Sequence, residues 1–91
     1  MLPKIENYGK YSTSNYGAHT LIVSIGNLSV YFSYSTPVAF STSHHGLICS
    51  ENIWGNTTGK HLNWIMPDKK KRIKNDMFEA RLKDVIASFS I

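Results

Sequence analysis

Cysteine occurs once in this chain, at position 49, so no disulfide can form within it. The apolar, strand-like setting LICS marks Cys49 as a buried thiol. Long hydrophobic runs are also missing. The longest, LIVSIG, is broken by a serine and falls far short of the roughly 18–20 residues that cross a bilayer. The opening MLPKIENYGK lacks the basic start and apolar stretch of a secretory signal. These absences point to a reducing, cytoplasmic setting with no membrane partner. Ninety-one residues leave no room for a second core, so 1–91 reads as a single domain. Its 42% hydrophobic content suffices for one modest core without metal or disulfide.

Enzyme and metal motifs are equally scarce. A P-loop needs GxxxxGK[ST], but Gly55 and Gly59 stand one residue too close and His61 occupies the hydroxyl position. The four histidines (His19, His44, His45, His61) show neither CxxC nor HxxxH spacing, and the adjacent pair His44-His45 chelates poorly. Serines are abundant, yet no GxSxG elbow presents one as a nucleophile. Cys49 has His44 and His45 near it in sequence, but a hairpin need not put them on one face. The expectation is a non-enzymatic protein without metal or cofactor.

What the sequence does contain is clear patterning. Residues 1–18 are rich in tyrosine, asparagine, serine and glycine without periodicity, which suggests a segment draped over the core or along an edge. From His19, HTLIVSI alternates as a half-buried strand, Gly26-Asn27 signals a tight turn, and LSVYFSY alternates again through Tyr34. Pro37 opens PVAFST, SHHG turns, and LICSE returns. Residues 19–50 thus predict a four-stranded antiparallel meander. A short helix over 58–66 is expected next, with Thr58 as its N-cap and Pro67 beyond its end. A C-terminal helix over 75–89 carries the stripe Phe78, Leu82, Val85, Ile86 and Phe89, each worth about 1.5–3 kcal/mol when buried. The class is α+β, with the C-terminal helix packed on one face of the sheet.

Charge is distributed unevenly. In residues 1–58, Lys4 and Lys10 cancel Glu6 and Glu51; residues 59–91 hold eight Lys/Arg against Asp68, Asp76, Glu79 and Asp84, which is the whole net charge of +4. The steepest part is DKKKRIK at 68–74, and a focused positive field attracts phosphates or an acidic protein surface. The stretch TTGKH offers hydroxyls, backbone N–H groups and a cation at a helix start, where anions are stabilised. Thr57, Thr58, Gly59, Lys60, His61, Lys69, Lys70, Lys71, Arg72 and Lys74 are therefore the candidate phosphate ligands. Tyr31 on a sheet face and Trp54 beside the TTGKH turn are candidate aromatic contacts, since exposed rings stack on nucleobases. SVYFSY lacks the glycines and the leading basic residue of the RNA-recognition signature, so that module is absent.

Three pieces, NYGAH, YFSYSTPVAF and the TTGKHLN that follows Trp54, resemble a small family of uncharacterised proteins in phage and prophage genomes. The likeness runs from about Asn15 to Phe89. It implies a viral or mobile-element origin, an accessory role and the cytoplasm of a host cell, and it carries over no catalytic residue. The preferred expectation is a binding module for phosphate-bearing ligands, nucleic acid first. The alternatives are an antidefence inhibitor that masks a host defence protein and a nucleotide-sequestering protein with its pocket at Thr57–His61. Edge strands leave pairing into a homo-oligomer open.

Overall fold

The computed structural model describes residues 2–8 and 20–88. Most of the segment expected to drape over the core, with its YGAH sequence, and Phe89 of the predicted stripe lie outside the described residues. Five antiparallel strands stand in chain order: β1 (Lys4–Asn7), β2 (Thr20–Ile25), β3 (Leu28–Ser33), β4 (Thr36–Thr42) and β5 (Gly46–Cys49). Two helices follow, α1 (Asn56–Ile65) and α2 (Asn75–Ser88), with a 3-10 turn at Lys69–Lys71 between them. The α+β class and the antiparallel sheet match the sequence reading, but the described residues hold five strands rather than four. The addition is β1, whose four residues are too few and too polar to show a period. It pairs with β2 in a register that sets Ile5 opposite Val23 and Glu6 opposite Ile22.

Register explains how both sides of the sheet become covered. One cross-strand row runs Ile5, Val23, Val30, Phe40, Ile48; the next runs Glu6, Ile22, Tyr31, Ala39, Cys49 and points to the opposite face. On the first face, α2 brings Phe78 and Leu82, with Val85 packed beside them, against Leu28, Phe40, Val30 and Ile48. On the second, α1 brings Leu62 and Ile65 against Val38, Ala39 and Cys49, with Tyr8, Ile22 and Tyr31 completing the cluster. The helices therefore lie on opposite sides of one sheet, in three layers. The apolar stripe of α2 is narrower than its spacing suggested, because Ile86 remains 54% exposed.

Local chemistry sets the strand ends. Gly26 takes a φ of +59° in the β2–β3 turn, a conformation that asparagine and glycine tolerate best. Tyr34, expected to prolong β3, instead sits in the β3–β4 turn at φ +57°, a strained position for a bulky side chain. A bulge between Tyr31 and Phe32 follows that turn, so Phe32 pairs with Pro37 while Tyr31 pairs with Ala39. Pro37 thus stands at the start of β4, where a missing donor is tolerated.

Candidate functional site

The chain leaves β5 through Ser50 and Glu51 and returns to the same edge at Ile73. The Ile73 N–H donates to Cys49 O (2.9 Å) and the Glu51 N–H donates to Ile73 O (2.7 Å), a single parallel bridge. Between those two points lie α1 and the 3-10 turn, so the bridge fastens the turn beside the helix. Asp68 caps the turn by accepting the Lys70 N–H (3.0 Å). At the other end of the bridge, Asn75 donates its backbone N–H to the Glu51 carboxylate (3.0 Å) and its side-chain amide to Ser50 Oγ (3.1 Å), tying down the first turn of α2.

This folding-back creates a cleft of about 670 Å³ lined by Glu51, Asn52, Asn56, Gly59, Lys60, Asn63, Lys69 and Arg72. Three cations face one carboxylate and three amide side chains. Asn56, Gly59, Lys60 and Asn63 are spaced as one helical stripe, so a single face of α1 forms one wall. The intervening stripe (Thr58, His61, Leu62, Ile65) is the buried one. The TTGKHLN segment therefore divides by helical phase into a wall of the cleft and a core face.

That division separates the predicted ligands. Gly59, Lys60, Lys69 and Arg72 are brought together in the cleft. Thr58 and His61 are turned inward: the Ser33 hydroxyl lies 2.7 Å from His61 Nδ1 and 2.9 Å from Thr58 Oγ1, and His61 is fully buried. Burial withdraws both from any phosphate. Thr58 is not the N-cap either. The helix starts two residues earlier, and Gly55 occupies the cap position without a side-chain bond. Thr57 is half-buried in the first turn, outside the cleft lining. Arg72 does more than line the cleft, since its Nε (3.0 Å) and Nη2 (2.9 Å) donate to Met66 O and Nη2 also donates to Asn63 Oδ1 (2.9 Å). It closes the C-terminal end of α1, where carbonyls lack helical partners.

Lys70, Lys71 and Lys74 are exposed on the turn and just after it, flanking the cleft rather than lining it. Tyr31 is half-buried on the face that α1 covers, its ring 5.6 Å from that of Tyr8, so packing occupies it. Trp54 is 36% exposed in the turn before α1 and does not line the cleft. Cys49 is buried, and burial pushes its thiol up to about 11 while the nearby Arg72 charge pulls the other way. A neutral thiol at physiological pH is a poor nucleophile. Among the described residues, no three His, Cys, Asp or Glu side chains cluster as a metal site, and no helix is long and apolar enough to cross a membrane.

The asparagines of the cleft were not singled out from the sequence, although ENIWGN held one usable signal. Asn52 makes an Asx turn: its Oδ1 accepts from the N–H groups of Trp54 (3.0 Å) and Gly55 (3.2 Å), and its Nδ2 donates to Gly55 O (2.9 Å). The Asn52 amide also explains why position 59 is glycine, because a Cβ there would lie 2.9 Å from Asn52 Nδ2. Gly59→Ala gains up to about 1 kcal/mol in helix propensity but must displace an amide held by three hydrogen bonds. The expected net effect is a destabilisation of about 1 kcal/mol. Asn52→Ala in the same chain removes the obstruction, so denaturant titrations of the two single variants and the double variant should show coupling, with the double variant more stable than the sum of the singles implies.

Residues 3–80, which hold the sheet and the cleft, match the DUF8033 family, described as a family of unknown function. The chain belongs to that family. No match was found among curated proteins or among solved structures. The matched range takes in every residue of the cleft and ends within α2.

Proposed function

We propose that this protein is a non-enzymatic module that binds nucleic acid, with the phosphate backbone held in the cleft between α1 and the 3-10 turn. The observation that carries the reading is the convergence of Lys60 and Lys69, from separate segments, on one open groove whose remaining polar lining is largely amide. Lys60 and Lys69 supply the phosphate contacts, and Lys70, Lys71 and Lys74 extend the positive field along the strand's path. Arg72, with its Nε and Nη2 engaged by Met66 O and Asn63, serves mainly to hold the groove's shape. Asn56 and the Nδ2 of Asn63 offer polar groups to sugars or base edges, while the Asn52 amide is committed to its turn. The phage-type accessory role implied by the sequence resemblance belongs to the same proposal.

Binding of labelled single-stranded and duplex DNA at several salt concentrations tests the reading. Affinity should fall by roughly 0.7–0.9 log units per phosphate contact for each tenfold rise in salt. In Lys60→Ala/Lys69→Ala, affinity should drop and the slope should shrink by about two contacts' worth. Both lysines are solvent-facing, so thermal melting of the variant should match the parent. Affinity indifferent to salt, or a double variant that binds like the parent, rejects the proposal.

A further inference from the structure

β1 is the outermost strand, with no neighbour on its far side among the described residues. The Tyr8 N–H donates to Thr20 O (3.0 Å), so by alternation the even-numbered residues of this segment turn their amides toward β2. Ile5 therefore directs its N–H and C=O to the outer edge. Its side chain, 64% exposed, ends the apolar row that runs through Val23, Val30, Phe40 and Ile48. Leu2, just ahead of β1 in the chain, is 89% exposed. Edge strands are usually protected from pairing by charge. Here the protecting charges are Lys4 and Glu6, of opposite sign and two residues apart on one face, joined by a 2.7 Å ion pair.

We infer that β1 pairs antiparallel with β1 of a second copy, about a two-fold axis at Ile5, to make a continuous ten-stranded sheet. Charge complementarity selects this partner and this register. With Ile5 opposite Ile5, each Lys4 faces the other copy's Glu6, and like-charge opposition is avoided at both positions. Shifting the axis to Lys4 or to Glu6 sets that residue against itself and forfeits the pairing. The Ile5 register also forms two reciprocal backbone hydrogen bonds at the axis. It extends the apolar row into the second sheet and places Leu2 opposite Tyr8, beside which the 53% exposed Trp64 ring lies at 5.7 Å. The basic grooves lie at the β5 edges and end up at the two far sides of the assembly.

Sedimentation equilibrium of the full chain over a wide concentration range tests this. The parent should show a reversible monomer–dimer equilibrium. Glu6→Lys, which sets lysine against lysine, should shift dissociation to at least tenfold higher concentration, and Lys4→Glu/Glu6→Lys should restore the parental value. Ile5→Pro removes only an outward donor and should also yield monomer. Circular dichroism should be unchanged throughout, because these side chains are exposed. A parent that stays monomeric, a charge swap that fails to restore dimer, or growth beyond dimer overturns the inference.

Discussion

Phe78→Ala is expected to lower the unfolding free energy by about 3–5 kcal/mol, the largest loss available from one side chain in α2. Phe78 is fully buried, and its ring centroid lies 5.7 Å from that of Phe40, itself fully buried on β4. Removing the ring takes away apolar area and an aromatic contact together, and the space left behind is walled by the sheet, which cannot collapse onto it. Only Phe78 and Leu82 of α2 are buried, with Val85 partly so, and the cluster has few other members to share the load. A domain of this size has about 5–15 kcal/mol in all, so the variant keeps only part of its margin. Urea titration should show the midpoint falling with little change in slope. Ile86→Ala is the control: at 54% exposure it should cost well under 1 kcal/mol. Equal losses at the two positions would mean that α2 does not dock through the Phe78 side.

How much of this was legible beforehand depends on how far each feature reaches through the chain. The β2–β3 hairpin was plain because alternation and the Gly26-Asn27 turn are local signals that agree. α2 was plain for the same reason, through the spacing of Phe78, Leu82 and Val85. β1 was not, because Lys4–Asn7 owes its strand state to pairing with β2, a partner more than a dozen residues away in the chain. Tyr34 misled because alternation continues past the point where the turn intervenes. The cleft was half legible. Lys60 and Lys69 could be named from charge, but their meeting depends on the Ser50–Ile73 bridge, which brings together residues 23 apart with no motif to announce it. Treating TTGKH as one unit failed for a periodic reason: the helix turns about 100° per residue, which carries Gly59 and Lys60 onto the cleft stripe of α1 and Thr58 and His61 onto the buried one.

Ser33→Ala is expected to cost about 2–4 kcal/mol, more than a buried hydroxyl-to-hydrogen change usually does. The Ser33 hydroxyl bridges Thr58 Oγ1 and His61 Nδ1, and Ser33, Thr58 and His61 are all buried between β3 and α1. Deleting it strips a shared partner from two polar groups that water cannot easily reach, and each such loss costs about 1–3 kcal/mol. Thr58→Val should be milder, about 1 kcal/mol, because the Ser33–His61 bond survives and the volume is kept. The double variant Ser33→Ala/Thr58→Val should cost less than the sum, since the second change removes a group the first had stranded. Strict additivity in denaturant melts would break the case that these residues act as one clasp. The clasp also separates scaffold from site. It holds the buried stripe of α1 to the sheet while Lys60 and Lys69 stand on the other side of the helix, untouched by either substitution. At a temperature where the Ser33→Ala variant is still folded, the salt slope of DNA binding should therefore equal that of the parent. A slope that shrank with Ser33→Ala would tie the buried network to the ligand directly and reassign His61 from the core to the site.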